Sequence, residues 1–218
     1  MRLDLLGDQA VIAYCDSEAA AAQLAAALRC TRPAWCADIV QAYVSIAVYY
    51  DLAQIDPASA ADWVAQSEPS SDAAPAEGPV HVIPCCYELG LDFDRIEKRT
   101  GLTRDAVIRL HADAIYTVYA IGFCPGFPYL GYLPDALTGI PRLDSPRTRV
   151  EAGSIGLTGR QTGIYTEVRP GGWNIIGRTP LVLVDVADGY FPLRTGDRVQ
   201  FQPIDERRFR ELEGCRLK

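Results

Sequence analysis

The fold of this chain depends on a stretch that opens with Gly122-Phe-Cys-Pro-Gly-Phe-Pro-Tyr-Leu-Gly131 and closes with Pro170-Gly-Gly-Trp-Asn-Ile-Ile-Gly-Arg-Thr179. Glycine and proline recur every few residues, with aromatic and β-branched residues between them. The stretch is therefore too apolar for a disordered linker and too interrupted for a helix, which predicts ordered turns and short strands. Fixed cations on such a scaffold are how proteins hold carboxylates or phosphates. The arginines available for this are Arg142, Arg147, Arg149, Arg160, Arg169 and Arg178.

The sequence around this stretch predicts an all-β barrel or sandwich with two helices inserted. Turns rich in glycine, proline and aspartate separate short apolar runs, a spacing typical of these folds. The helical pair is predicted within residues 92–111, joined at Gly101 and with Thr103 as the N-cap of its second helix. A DNA-reading helix-turn-helix has the same outline, but the second helix carries few groups able to read bases, so we favour a structural role. Strands are predicted at 80–84, 115–121, 164–168, 173–176, 181–186 and 198–201, and a final short helix at 204–212.

Residues 1–66 predict a small α+β domain with the element order ββαββα, its sheet covered on one face by two helices. Gly7 and Asp8 predict the first hairpin turn, and Ser17 predicts the N-cap of the first helix. Residues 67–79 contain no large apolar residue, so we expect a linker there and a second domain at 80–218. The predicted elements of the first domain are strands at 2–6 and 10–14, a helix at 18–29, one bent strand or two at 39–50, and a helix at 57–66.

The composition argues against several classes of protein. The chain has 218 residues and a net charge of -7, and an acidic surface repels nucleic acids and anionic membranes. Its seven cysteines are unevenly spaced and form no CxxC pairs, so we expect neither a disulfide framework nor a metal site. No apolar run is long enough to span a bilayer, and the N-terminus has no secretory h-region. We therefore expect a cytoplasmic protein.

The loop at 122–127 is rigid, because its prolines fix φ and Gly126 can adopt a positive φ. Its amides and aromatic rings could line a pocket, or the loop could be a tight corner of a barrel; the residues alone leave both open. Cys124 lies within the loop, but neither histidine is beside it in the sequence. A packed, unreactive thiol is therefore favoured over a nucleophile.

Arg147 and Arg149 share one face if their segment is extended, which suits bidentate binding of a carboxylate or phosphate. A solvated charged edge is the alternative. His81 lies in a predicted strand, either as a satisfied core histidine or as a general base. His111 is expected to interact with the dipole at a helix end. The segment Gln161-Thr-Gly-Ile-Tyr165 offers an amide, a hydroxyl and a phenol as polar lining.

The segment Gly172-Trp-Asn-Ile-Ile-Gly-Arg-Thr179 has the glycine spacing of a P-loop, with Arg178 in place of lysine. A P-loop must lead into a helix whose N-terminus holds the phosphates, whereas Pro180 and an apolar, strand-like run follow here. We therefore reject a P-loop and expect any ATP chemistry at another site or in another subunit.

Taken together, the motifs of this chain resemble one family. They are the two segments quoted first, Pro146-Arg-Thr-Arg149, Ala152-Gly-Ser154 and Gln161-Thr-Gly-Ile-Tyr165. The family is known as KipI, allophanate hydrolase subunit 1 or the 5-oxoprolinase B subunit, and the resemblance extends over the whole chain. It implies a small α+β domain followed by a cyclophilin-like β-barrel. It also implies one component of a bacterial ATP-dependent 5-oxoprolinase, which hydrolyses the lactam of 5-oxoproline to glutamate.

The resemblance implies partners and a cofactor as well. We expect a second cyclophilin-like subunit, of the 5-oxoprolinase C type or KipA type, a third subunit of the A type, and ATP at a site shared with or supplied by a partner. Phosphorylation of the lactam oxygen before attack by water would explain the coupling to ATP. The family name leaves open two alternatives: an inhibitor that binds a sensor histidine kinase, and an allophanate- or urea-related hydrolase subunit.

The resemblance also selects candidate site residues. Arg147, Arg149 and His81 are the expected catalytic residues. The expected substrate-binding residues are Phe123, Gly126, Phe127, Gln161, Thr162, Tyr165, Trp173 and Arg178. Cys124 stands where the family more often has serine, which argues against an essential hydroxyl there. Glu151 stands where proline is common and is expected to reduce the positive charge near the arginines.

Overall fold

The computed structural model describes residues 1–67 and 78–217. The chain is mixed α/β and divides into two compact units, Met1–Glu77 and Gly78–Lys218. The predicted linker at 67–79 lies mostly outside the described residues and stays a prediction.

The first unit is an antiparallel four-stranded sheet with two helices, in the order ββαββα. Ser17 Oγ accepts a hydrogen bond from the Ala20 amide at 3.1 Å and so caps the first helix, as the sequence predicted. The stretch at 39–50 belongs to two strands, and Tyr43 takes a positive φ of 53° in the turn between them. The elements are β1 (Arg2–Leu5), β2 (Ala10–Tyr14), α1 (Glu18–Cys30), β3 (Cys36–Ala42), β4 (Ser45–Tyr50) and α2 (Pro57–Gln66), and the sheet order is β1-β2-β4-β3.

Alternate residues of this sheet face the helices and form the core of the first unit. Leu24 and Leu28 of α1 and Val64 of α2 are at most 2% exposed. They belong to one apolar cluster with Ile46 and Val48 of β4. Removing this apolar surface from water is the main force that holds the helices on the sheet.

The second unit contains a seven-stranded sheet, a helical pair, a two-stranded sheet and a C-terminal helix. Its elements are β5 (Val80–Cys85), α3 (Phe93–Thr100), α4 (Arg104–Asp113), β6 (Ile115–Ile121), β7 (Pro128–Gly131), β8 (Arg147–Val150), β9 (Ser154–Thr158), β10 (Gln161–Ile164), β11 (Arg169–Gly171), β12 (Asn174–Arg178), β13 (Arg198–Pro203) and α5 (Glu206–Leu212). The large sheet has the order β12-β9-β10-β7-β6-β13-β5, and β8 pairs separately with β11.

One bridge joins the two edges of the large sheet. Beyond the end of β5, the Cys86 amide donates to the Arg178 carbonyl at 2.8 Å, and the Arg178 amide donates back to the Cys86 carbonyl at 3.1 Å. Because Arg178 ends β12, this bridge closes the sheet into a barrel, which leaves few unpaired backbone groups at its edges. Side chains fill the interior: Tyr116, Leu130 and Phe201 are at most 1% exposed and share one cluster.

The predicted helical pair packs on this barrel. Gly101 ends α3 with a φ of 73°, and Thr103 caps α4 by accepting a hydrogen bond from the Ala106 amide at 3.3 Å. Ile96 of α3 and Val107 of α4 are fully buried in the barrel cluster. The buried faces of both helices therefore serve the core of the second unit.

Two predicted strands are wrong. Residues 181–186 hold only isolated β-bridges, at Val182 and Asp185. The strand predicted at 164–168 does not form either, because β10 ends at Ile164 and the residues after it are irregular. Apolar and β-branched composition favours a strand only where a neighbouring strand supplies a ladder of hydrogen bonds, and the local sequence does not show which neighbour is available.

The described residues show no membrane-spanning helix and no metal-binding cluster. Within residues 1–67 and 78–217, every helix is too short or too polar to cross a membrane. The same part of the chain has no group of three or more His, Cys, Asp or Glu side chains placed to hold a metal ion. All seven cysteines are free thiols.

Candidate functional site

The loop at 122–127 forms one wall of a pocket. Its backbone closes on itself, because the Gly122 amide donates to the Phe127 carbonyl at 3.1 Å. Gly126 adopts a φ of 67°, and a Cβ there would lie 2.2 Å from a neighbouring valine methyl, so the position requires glycine. Phe123 also takes a positive φ, of 68°, and is 59% exposed. A strained, exposed aromatic residue at a pocket is typical of a functional loop.

The pocket is a cavity of about 230 Å³ walled by aromatic rings, here called the aromatic cavity. Phe127 meets Trp173 and Tyr165 edge to face, with ring centroids 5.5 and 5.3 Å apart. This packing fixes the orientation of the rings. The predicted substrate-binding residues Phe123, Phe127, Tyr165 and Trp173 all line the cavity. The other lining residues are Tyr129, Arg142, Pro146, Pro170, Gly171 and Gly172.

A buried ion pair adjoins this wall. Arg147 follows Pro146, and its backbone pairs with that of Gly171. Arg147 Nη2 donates to Asp92 Oδ1 at 2.7 Å, while Asp92 Oδ2 accepts from the Ile175 amide at 2.6 Å. Asp92 is 8% exposed, and Arg147 Nη1 is buried without a hydrogen-bond partner among the described residues. The pair therefore fixes the guanidinium and leaves one of its donors unused.

Positive charge reaches the phenols of the cavity. Burial raises the pKa of Tyr165, and the charges of Arg142 and Arg147 partly oppose that rise. Burial also raises the pKa of Tyr129, again opposed by Arg142. Both phenols are thus protonated at neutral pH and able to donate hydrogen bonds. An aromatic cavity with phenol donors and nearby guanidinium groups suits a small anion.

Arg149, the second predicted catalytic arginine, has its own acidic partner. Its Nε and Nη2 donate to the two carboxylate oxygens of Glu151 at 2.6 and 3.2 Å. This pairing raises the pKa of Arg149 and lowers that of Glu151. Both side chains are exposed, and neither lines the aromatic cavity. Glu151 therefore offsets the charge of Arg149, as the sequence led us to expect.

The remaining predicted site residues do not line the aromatic cavity. His81 Nε2 lies 3.2 Å from Asp197 Oδ2. Arg178 Nε donates to a backbone carbonyl at 2.8 Å. Thr162 is fully buried in β10, and Gln161 is half-buried at the start of the same strand. Their catalytic and binding roles stay predictions.

The expected dipole interaction of His111 is wrong. His111 is fully buried, with Nδ1 2.8 Å from Tyr87 Oη and Nε2 3.0 Å from Thr162 Oγ1. The Thr162 hydroxyl donates to the Gly156 carbonyl at 2.9 Å, so it accepts from Nε2–H, and Nδ1 accepts from Tyr87. Burial lowers the pKa of His111 to about 3. The ring is therefore neutral and serves the core.

The Cys124 thiol is packed against the loop. It is 7% exposed, and its Sγ lies 3.5 Å from Thr166 Oγ1. Burial raises its pKa, which disfavours the thiolate that a nucleophile requires. The structure thus supports an unreactive thiol.

The P-loop-like segment at 172–179 contains strand β12 and leads into no helix. Asn174 and Gly177 within it are buried in the barrel wall, and a Cβ at Gly177 would lie 2.6 Å from Cys85 Sγ. A phosphate-binding loop needs open backbone amides at a helix N-terminus, so this segment does not fit the phosphates of ATP.

Sequence reasoning did not select two residues that shape the site. Asp92 precedes α3, where an acidic residue normally indicates a helix cap, yet its side chain makes no capping hydrogen bond. Arg142 is one of six arginines in the stretch quoted first, and its sequence context does not set it apart. The signal that could have found either residue is a long-range contact, which local spacing does not contain.

Comparisons with known proteins agree with the motifs. A family model described as the carboxyltransferase domain, subdomain C and D, matches residues 1–191. The 5-oxoprolinase B subunit of Bacillus subtilis (strain 168) is 43% identical over 128 residues, which make up 57% of this chain and 53% of that protein. The chain spans about half the length of the curated relatives it matches.

Solved structures share the fold. A protein called TTHA0988 has a TM-score of 0.78 and 32% identity, covering 90% of this chain and 40% of its own. The urea carboxylase of Kluyveromyces lactis has a TM-score of 0.77 at 16% identity, covering 96% of this chain and 22% of its own, which shows a common fold alone. Since the family model matches most of the chain, this protein belongs to the family of the carboxyltransferase domain, subdomain C and D, in which its curated relatives are 5-oxoprolinase B subunits.

Proposed function

We propose that this chain is the B-type subunit of an ATP-dependent 5-oxoprolinase, a cytoplasmic complex that hydrolyses the lactam of 5-oxoproline to glutamate. Relatives named as 5-oxoprolinase B subunits support it, at 43% and 47% identity over the matched regions. The closed barrel of the second unit supports the cyclophilin-like fold. Seven free thiols suit a reducing compartment.

One observation of the structure carries the proposal. Three family motifs that are well separated in sequence meet at the aromatic cavity: Phe127 comes from the first, Tyr165 from the second and Trp173 from the third. A cavity of about 230 Å³ walled by rings is suited to a small cyclic molecule. Motifs that only shaped barrel corners would have no reason to converge on one cavity.

In this proposal the chain binds the substrate and stabilises charge. The aromatic rings enclose the lactam ring and exclude water from it. Arg147, held in place by Asp92, stabilises negative charge that develops on the lactam oxygen as the ring opens. Arg149 and His81 keep their proposed catalytic roles at a surface completed by a partner, since neither lines the cavity.

ATP and the partner subunits complete the proposed site. ATP supplies the driving force that opening an unstrained lactam needs. Because the segment at 172–179 does not fit phosphates, we assign ATP to a site that a partner supplies or shares. The proposed partners are a second cyclophilin-like subunit, of the 5-oxoprolinase C type or KipA type, and a third subunit of the A type.

Co-expression of the chain with these partners tests the proposal, with glutamate formation from 5-oxoproline as the readout. We expect glutamate only when ATP and the full set of subunits are present. Arg147→Ala is expected to lower kcat by about 100-fold, in the range seen when a transition-state donor is removed. Arg210→Ala, in an exposed pair with Glu206 on α5, is the matched control and should leave the rate unchanged.

Two results would contradict this assignment. A full set of folded subunits without ATP-dependent glutamate formation removes the function. An undiminished rate in Arg147→Ala removes the catalytic role of that residue while leaving the function in place.

A further inference from the structure

Arg142 differs from the other arginines near the aromatic cavity because no carboxylate among the described residues pairs with it. Three neighbouring arginines each have an acidic partner: Arg147 has Asp92, Arg149 has Glu151 and Arg169 has Glu167. Arg142 lines the cavity itself and is exposed, so its guanidinium donors are available to a ligand.

The backbone around Arg142 is held by three hydrogen bonds. Asn174 Nδ2 donates to the Pro141 carbonyl at 3.0 Å, Arg95 Nη2 donates to the Arg142 carbonyl at 3.2 Å, and the Leu143 amide donates to the Gly172 carbonyl at 2.7 Å. Asn174 is fully buried, and its Oδ1 accepts from Arg95 Nε at 3.1 Å. The cation is thus presented from a fixed backbone, which lowers the entropy lost when a ligand binds.

The groups around Arg142 favour an anion at this end of the cavity. Its charge acts on the phenols of Tyr129 and Tyr165, which remain protonated donors. Asp144, two residues along the chain, is exposed and forms no ion pair with it in the described part of the chain. Cationic and hydroxyl donors therefore meet beside apolar ring faces. A carboxylate attached to a small ring matches both halves of this surface.

We propose that the aromatic cavity binds a small cyclic carboxylic acid, with its carboxylate on Arg142 and its ring enclosed by Phe127, Tyr165 and Trp173. The choice of 5-oxoproline as the probe rests on the proposed function. The carboxylate distinguishes this ligand from a plain lactam of the same ring size. Arg142 is therefore the residue that determines specificity, whereas Arg147 stands near the group that reacts.

The full chain, without partners or ATP, is titrated by isothermal calorimetry with 5-oxoproline and with 2-pyrrolidinone, the same lactam without its carboxylate. We expect 5-oxoproline to bind about 10- to 100-fold more tightly, the range of a charge-assisted hydrogen-bonded pair. Arg142→Gln should abolish that preference and leave the affinity for 2-pyrrolidinone unchanged. Arg210→Gln, which removes an exposed charge from α5, is the matched control and should keep the preference.

Equal affinity of the native chain for the two lactams overturns the inference. An Arg142→Gln chain that loses both ligands equally overturns it too, because that result indicates a disturbed cavity. An active complex whose B-type chain binds no 5-oxoproline by itself contradicts the inference and leaves the proposed function standing. Binding that depends on Arg142, in a complex that makes no glutamate, supports the inference and removes the function.

Discussion

Asp92 and His111 show two ways in which a buried polar side chain is satisfied. The Asp92 carboxylate has a partner for each oxygen, the Arg147 guanidinium and the Ile175 amide. The neutral His111 ring has a partner for each nitrogen. A buried charge needs an opposite charge, whereas a neutral ring needs only hydrogen bonds. Asp92 therefore belongs with the site and His111 with the core.

Burial of His111 makes stability depend on pH. Its pKa is about 3 in the folded chain against 6.5 for an ordinary histidine, so between these values only the unfolded chain binds the proton. The contribution of His111 to the free energy of unfolding is thus complete above the unfolded pKa and decreases as the pH falls towards the folded one. Urea denaturation should show a loss of roughly 2 kcal/mol from this group between about pH 7.5 and about pH 5.

Two variants assign this loss to one residue. His111→Gln should have a smaller decrease in stability over the same interval, although it is less stable at neutral pH. His81→Gln, which removes the other histidine, should keep the decrease. An identical pH dependence in the native chain and His111→Gln would show that other groups cause it.

The loop at 122–127 stores backbone strain at the aromatic cavity. Phe123 has a φ of 68° without being glycine, and its ring contacts Phe127 at a centroid distance of 5.4 Å. Left-handed backbone costs a non-glycine residue about 1–2 kcal/mol. The strain persists because the rest of the loop is fixed by hydrogen bonds and by Gly126. We interpret it as the cost of placing an aromatic ring at the mouth of the cavity.

Comparison of Phe123→Gly with Phe123→Ala tests this interpretation. Both variants lose the ring, and only glycine removes the strain, so Phe123→Gly should be the more stable by about 1 kcal/mol in urea denaturation. At an ordinary loop position the order is reversed, since glycine gives the unfolded chain more freedom. A more stable alanine variant would therefore contradict the strain. Both variants should bind 5-oxoproline more weakly than the native chain.

The helices and the irregular segment at 181–186 show what local patterns can and cannot predict. Both helices of the inserted pair follow from the sequence, because Gly101 and Thr103 determine their ends through local backbone geometry and capping. A strand needs a partner elsewhere in the chain. Residues 181–186 have strand-like composition, but find only isolated bridges.

Closure of the barrel depends on a tight approach between its first and last strands. Gly177 of β12 lies against the end of β5, where an added Cβ would be 2.6 Å from Cys85 Sγ and 3.0 Å from the Cys86 carbonyl. Any side chain here would push apart the strands that the bridge between Cys86 and Arg178 joins. The glycine therefore has a packing role in the barrel and no role in binding phosphate.

Gly177→Ala should destabilise the protein by about 1–3 kcal/mol, the usual cost of overpacking a tight core. The midpoint of urea denaturation measures it. Gly122→Ala is the matched control, because a Cβ at Gly122 meets no atom within 4 Å and its φ is not in the left-handed region. Equal stability of the two variants would contradict the close approach at the barrel seam.

Much of the architecture was predictable from the sequence. The order ββαββα, the capped helices and a β-rich second domain follow from periodicity, caps and turn residues, which act on neighbours along the chain. The aromatic half of the site was predictable too, because Phe123, Phe127, Tyr165 and Trp173 lie in recognisable motifs. The resemblance to a family also came from these motifs, and the family model that matches residues 1–191 confirms it.

The sequence by itself thus determined the element order, the helix ends and the aromatic residues of the cavity. Only the tertiary structure decided which arginine is neutralised and which is available. Arg147 pairs with Asp92, 55 residues away, while Arg142 faces the cavity without an acidic partner among the described residues. The physical reason is range: backbone propensity and periodicity act within a few residues, whereas an ion pair or a barrel seam depends on contacts that exist only after the chain has folded.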